Sequence, residues 1–270
     1  MSKLKVGIIG CGAIGTEIAK ACQGRLKDKI GLAGICDIDE SKTRALNKAL
    51  AKNVPVLNLE DIIKNSGLIV EAASAAMSAS VLEKCIDAGR DCLMMSVGGL
   101  LGREELLQKA KEKSIRVYIP SGAICGIDGL KSASIGKIDS VTLTTRKPPK
   151  GLAGAPYLKE KNIDVLSIKE EKTIFEGSAE EAVKGFPQNV NVSAVLSLAG
   201  VGAKKTRVKI VTSPAYTANI HEIEIAGEFG RIVTRSENLP SKANPKTSAL
   251  AIFSAIATLE GIASSVRIGT

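Results

Sequence analysis

Apolar and polar positions divide this chain into two differently patterned parts. Up to about residue 120, short continuous apolar runs alternate with longer segments whose apolar residues recur every three or four positions. The runs are Lys5–Ile9, Gly31–Cys36, Leu68–Val70, Cys92–Met95 and Arg116–Ile119, and they predict buried strands. The periodic segments are Ala13–Cys22, Glu40–Ala51, Leu59–Lys64, Met77–Ala88 and Glu104–Lys113, and they predict helices, with Asp39 or Ser41 capping the second. Strands that are apolar throughout, each followed by a helix, predict an α/β domain with a parallel, doubly wound sheet. After Ser121 the pattern changes. Ser140–Arg146, Arg207–Thr212, Ile220–Ala226 and Arg231–Arg235 alternate or read as strands with one exposed face, and Ala179–Lys184 and Gln188–Leu198 read as helices. This predicts a second α+β domain with an antiparallel or mixed sheet. Pro245 then introduces a long apolar helix, Thr247–Val266. Its Glu260 and many small residues fit a helix packed back on the first domain rather than a membrane span. The expected division is residues 1–122 with 245–270, and 123–244.

The first strand opens into Gly10-Cys11-Gly12-Ala13-Ile14-Gly15, and a helix follows. This G-x-G-x-x-G turn is the dinucleotide-binding signature of a Rossmann-like domain. Gly10 permits the tight turn, Gly12 lets the backbone approach a pyrophosphate, and Gly15 lets helix and strand pack closely. The helix beginning at Ala13 and Ile14 directs its N–H groups at the phosphates. Asp37 closes the second strand about 20 residues on, where a carboxylate accepts from ribose hydroxyls and repels a 2′-phosphate. Lys42 and Arg44 follow and pull the other way, so the cofactor reads as NAD or NADP. Glu71-Ala72-Ala73-Ser74 and Ser96-Val97-Gly98-Gly99 sit at later strand ends, where open α/β sheets bind ligands. Ala73 and Ser74 are candidate contacts to the nicotinamide half.

A net charge of +9 has two readings, a Lys-rich solvated surface or attraction of small anions. Aromatics make up 3% with no Trp, which predicts an aliphatic core. With no arginine-rich block, it also argues against nucleic-acid binding. Six cysteines are scattered without a C-x-x-C, and there is one histidine, so no metal site is expected. Reduced thiols and the lack of a signal-peptide pattern indicate a cytoplasmic protein. Cys125 lacks the activating base that a thiol nucleophile needs. His221 lies in Asn219-Ile220-His221-Glu222-Ile223-Glu224-Ile225, and in a strand it shares the apolar side with Ile223 and Ile225. From pattern alone it is either a hydrogen-bonded core imidazole or a proton-transfer group. Arg146, Lys147 and Lys246 are candidate anchors for substrate carboxylates.

Taken together, several blocks carry a family resemblance. They are Gly7–Gly15, Val70–Ser74, Val117–Ala123, Leu143–Lys147, Phe175–Ala179, Phe186-Pro187-Gln188-Asn189-Val190-Asn191-Val192, Asn219–Ile223, Gly227–Gly230 and Asn244-Pro245-Lys246-Thr247-Ser248. In order and over nearly the whole chain, they resemble the L-aspartate dehydrogenases of archaea and bacteria. The resemblance implies NAD- or NADP-dependent oxidative deamination of L-aspartate to iminoaspartate, then oxaloacetate and ammonia. It places the catalytic histidine at His221 and dinucleotide contacts at Ala123 and Asn189. Ser121 and Asn219 join Arg146, Lys147 and Lys246 as candidate substrate contacts. It further implies a homodimer without nucleic-acid or membrane partners, and a functional coupling to quinolinate synthase in NAD biosynthesis. Cys11, Val97 and Pro120 stand where relatives often differ, and Pro148–Val165 matches less well. The alternatives are a sugar, polyol or semialdehyde dehydrogenase on the same scaffold, or a non-catalytic dinucleotide sensor. Ser96–Gly99 lacks the Glu-Lys-Pro expected of the sugar enzymes, and a sensor would have no need of His221.

Overall fold

The computed structural model describes residues 3–187, 191–241 and 247–269. It separates into two compact units, residues 1–120 with 252–267, and residues 121–251 with 268–270. The first contains β1 (Leu4–Ile9), α1 (Ala13–Gln23), β2 (Ile30–Cys36), α2 (Glu40–Ala49), α3 (Leu59–Asn65), β3 (Leu68–Glu71), α4 (Ala75–Asp87), β4 (Asp91–Met94), α5 (Glu104–Glu112) and β5 (Val117–Tyr118). All its strand pairs are parallel, in the order β2-β1-β3-β4-β5. The connection reverses direction between β1 and β3, so the ligand crevice of such a sheet lies beyond the carboxyl ends of these two strands. Helix starts follow local chemistry. Asp39 accepts from the Ser41 N–H to cap α2, and Asn58 accepts from the Asp61 N–H to cap α3. The core is aliphatic, with Val6, Ile8, Ile18, Ile35, Leu46, Leu68, Val70 and Leu93 buried together.

The second unit contains α6 (Ile127–Ala133), β6 (Ile138–Lys147), α7 (Pro156–Glu160), β7 (Lys172–Ser178), α8 (Ala179–Gly185), α9 (Asn191–Ala199), β8 (Arg207–Thr212), β9 (Asn219–Gly227) and β10 (Gly230–Asn238). Its sheet runs β10-β9-β6-β8-β7 and is mixed, because β6 and β8 are parallel while the other neighbours are antiparallel. Leu143, Thr145, Val208 and Ile210 of the sheet line one small cavity with Ala182, Phe186 and Ser193, so α8 and α9 cover this face. Tyr157, Phe175 and Phe186 meet there at ring-centroid distances of 5.3–5.6 Å. Strand β7 was not evident in the sequence pattern. A register irregularity between Thr173 and Phe175 leaves Ile174 and Phe175 both buried, which erases the two-residue alternation. Short helices α6 and α7 were equally unmarked.

The last helix, α10, spans Ala249–Ile262 rather than Thr247–Val266. It stops early because Ser264 turns the chain, its hydroxyl accepting from the Val266 N–H at 3.3 Å. Ala255 and Leu259 enter the aliphatic core of the first unit, whereas Phe253 is 63% exposed. The helix thus packs along one stripe only. Among the described residues, no helix is long and apolar enough to cross a membrane.

Candidate active site

In the first unit, the three glycines of the turn differ in what surrounds them. Gly10 has φ +99°, and a Cβ there would lie 2.4 Å from the Ala72 carbonyl group. A Cβ on Gly15 would lie 1.9 Å from the Gly10 oxygen, so this glycine permits α1 to sit on β1. Gly12 differs from both. A Cβ there meets no protein atom within 4 Å, and its φ of −73° suits any residue. Among the described residues nothing demands glycine at this position, and the backbone there is left open to a close approach. Gly12 also caps α1 with no side-chain bond and no acidic residue in the first turn, so the N–H groups at Ala13 and Ile14 form the positive end of the helix.

Asp37 follows β2, and its carboxylate is fixed by the backbone. Oδ2 accepts from the Cys11 N–H at 2.7 Å and Oδ1 from the Asp39 N–H at 2.9 Å. Each oxygen keeps a further lone pair for a ribose hydroxyl. Arg44 is engaged by Glu40 at 3.0 Å one helical turn away. Ala73 and Ser74 are exposed beyond β3, and the Ser74 hydroxyl makes no capping bond to α4. The glycine turn, Asp37 and Ala73–Ser74 all lie at the carboxyl ends of β1, β2 and β3.

In the second unit, the register of three strands decides the neighbours of His221. It stands opposite Thr145 of β6 and Ser236 of β10. His221 is 5% exposed, and its Nδ1 shares a hydrogen bond of 3.0 Å with Thr145 Oγ1. Burial and the neighbouring Lys147 push the imidazole down to about pKa 3, and burial pushes Lys147 down to about 8. His221 is therefore neutral near pH 7. Lys147 and Asn219 end their strands one position beyond the Arg146–Ile220 pair, on the side of the sheet that carries Thr145 and His221. The Ala123 carbonyl accepts from Ser236 Oγ at 3.0 Å and Asn238 Nδ2 at 2.9 Å, and Asn238 Oδ1 accepts from Ser248 Oγ at 2.8 Å. The loop starting at Ser121 is thus tied to β10 beside His221.

Arg146 stands apart from the other candidate anchor, Lys147. Consecutive strand residues point to opposite sides, so Arg146 leaves the face of Lys147 and His221. It meets Glu222 at 3.6 Å, which Arg235 approaches at 3.8 Å. Asn189 and Lys246 lie outside the described residues.

Comparison with known proteins bears on the chemistry. A family model described as "Aspartate dehydrogenase, C-terminal" matches residues 128–262, and one described as "Homoserine dehydrogenase, NAD binding domain" matches residues 10–120. The L-aspartate dehydrogenase of Methanosarcina barkeri is 46% identical over 99% of this chain and 100% of its own length. That of Methanosarcina acetivorans is 47% identical over the same shares. The chain belongs to the L-aspartate dehydrogenase family. A crystal structure of aspartate dehydrogenase from Thermotoga maritima superposes with a TM-score of 0.75 at 28% identity, covering 99% of this chain and 100% of that one. In this aspartate dehydrogenase-family chain, the sequence pointed to His221 and Ala123 but not to Thr145, which bonds the first, or to Ser236 and Asn238, which bond the second. Thr145 alone left a trace, in the alternation that runs into Lys147.

The buried imidazole has a consequence for stability. Above pH 6.5 it is neutral in both folded and unfolded chains. As pH falls from 6.5 toward 3, only the unfolded chain gains the proton, and stability is lost. Between pH 6.5 and 5 this amounts to about 2 kcal/mol. Urea unfolding at pH 7 and pH 5 should show a smaller loss for His221→Asn than for the wild type. Equal losses would contradict a buried neutral ring.

Proposed function

We propose that this chain oxidatively deaminates L-aspartate, with His221 as the proton acceptor and Lys147 as a cation for a substrate carboxylate. The family assignment supplies the reaction. The observation that supports the roles is the neutral, Thr145-bonded imidazole directly opposite Ser236, which anchors Ala123, and on the same face as Lys147. The glycine turn fits a pyrophosphate, because Gly12 is open where a side chain would intrude. Gly12 with the Ala13 and Ile14 N–H groups would hold the phosphates, Asp37 the ribose, and Ala73 and Ser74 the nicotinamide half. When bound, the oxidised nicotinamide supplies a hydride acceptor.

The substrate nitrogen must lose a proton before its lone pair can form C=N as the α C–H electron pair departs. Neutral His221 accepts that proton at Nε2 if Nδ1–H donates to Thr145 Oγ1, which fixes the tautomer. A pKa of about 3 belongs to the ring without substrate. Two incoming carboxylates raise it by their charge. A carboxylate paired with Lys147 also offsets the cation that depresses it. Water then adds to the imine carbon, and loss of ammonia leaves oxaloacetate. A steady-state panel of amino acids with NAD and NADP, read by absorbance of the reduced cofactor, tests this reading. Reduction with L-aspartate is expected, and reduction only with a polyol would overturn it.

The same reading favours NAD over NADP, since a 2′-phosphate would meet the Asp37 carboxylate that the backbone holds in place. Asp37→Ser should raise the NADP-to-NAD ratio of kcat/KM roughly a hundredfold, by removing a like-charge encounter. An unchanged ratio would remove Asp37 from the ribose site. Within this reading the chain acts in the cytoplasm as a homodimer, and its iminoaspartate feeds NAD biosynthesis through quinolinate synthase. Light scattering of the purified protein and a coupled assay with that enzyme test these two points.

A further inference from the structure

Glu71, the last residue of β3, is 0% exposed. Among the described residues it forms no ion pair. Burial pushes its carboxyl upward, against the hydrogen bonds that favour the anion. A buried carboxylate without a cation is costly unless its lone pairs are used, and here they are. Oε1 accepts from the Ala73 N–H at 2.9 Å and from Ser96 Oγ at 2.8 Å, and Oε2 accepts from the Ser96 N–H at 2.9 Å. The two N–H groups lie just past the point where the sheet ladder ends. The Glu71–Met94 pair is the last of β3 and β4, and the Met95 N–H to Glu71 carbonyl bond closes it. Ala73 and Ser96 would otherwise present buried or half-buried donors without acceptors. The carboxylate continues the ladder with a side chain where the backbones diverge.

The two loops held in this way also pack tightly on their surroundings. Gly10 lies so near residues 72 and 73 that its Cβ would sit 2.4 Å from Ala72 and 2.6 Å from the Ala73 nitrogen. Gly99, beyond Ser96, lies against the start of α4, where its Cβ would be 1.9 Å from the Ala75 oxygen. Movement of either clamped loop is therefore passed to the glycine turn or to the first turn of α4. We propose that Glu71 is a positioning residue for the dinucleotide, fixing the strand-end loops at Ala73–Ser74 and Ser96–Gly99 against the glycine turn. The inference rests on the reading that these loops receive the cofactor.

Glu71→Gln tests it with little change of volume. Whichever end its NH2 group occupies, that group faces the N–H of Ala73 or of Ser96, so one backbone donor loses its acceptor. NADH binding followed by its fluorescence should weaken about tenfold or more, the usual loss for an orphaned buried donor. The KM for L-aspartate and kcat, both at saturating NAD, should stay within about twofold. Ser96→Ala removes one of the three donors and keeps both backbone bonds, so NADH affinity should fall about threefold. This variant decides the matter if Glu71→Gln does not fold. Unchanged NADH affinity in a folded variant, with only the melting temperature lowered, would overturn the inference and leave Glu71 a structural staple. Loss of kcat at unchanged NADH affinity would overturn it as well. Failure of the wild type to bind NADH would instead remove the dinucleotide reading itself.

Discussion

His221→Ala is expected to lower kcat for L-aspartate oxidation by about a thousandfold, in the middle of the range for removing a positioned general base. NADH affinity should hardly change, since the glycine turn and Asp37 carry that contact in the proposed site. The variant should fold. The imidazole stacks in a row with Thr145 and Ser236, and alanine leaves a small cavity and an unpaired Thr145 hydroxyl there. Thr145→Val should reproduce part of the loss, because the ring then has no partner to fix its tautomer, and Thr145→Ser should restore it. Stopped-flow measurement of the first turnover separates this chemistry from product release. Near-normal turnover in His221→Ala would return the residue to the other reading of its pattern, a hydrogen-bonded core histidine.

Gly12→Val carries the second large effect. A Cβ at this position meets no atom of the described residues within 4 Å, and the backbone conformation is ordinary. Thermal unfolding should therefore move little. The same side chain would occupy the approach to a pyrophosphate, and NADH affinity should fall about a hundredfold, or about 2.7 kcal/mol. Gly15→Ala should behave in the opposite way. Its methyl group would fall 1.9 Å from the Gly10 oxygen, so α1 must shift from β1 and the melting temperature should drop. Calorimetric titration with NADH beside a melting curve distinguishes the two variants. Normal binding by Gly12→Val would mean that the turn does not hold phosphates.

Much of the first unit was legible residue by residue. Asp39 announces α2, and the glycine turn announces the strand-to-helix junction. Each strand of this unit and the helix that follows it are contiguous in sequence, so local pattern carries them. Legibility failed where one local rule was broken by another. The irregularity at Thr173–Phe175 hid β7, and Ser264 ended α10 sooner than its apolar run suggested. Arg146 and Lys147 looked equivalent as cations because composition ignores direction. One residue of spacing sends them to opposite sides of the sheet.

The sequence by itself determined the doubly wound first unit, the place of the glycine turn and of Asp37, a second α+β unit, and His221 as the one imidazole in the chain. These follow from apolar period, from the steric freedom of glycine and from residue chemistry, all of which are local. Only the tertiary structure decided which groups surround the imidazole. Thr145 reaches His221 across 76 residues, and Asn238 reaches Ala123 across 115. Those encounters depend on strand register, which the packing of whole sheets sets and no short window of sequence contains.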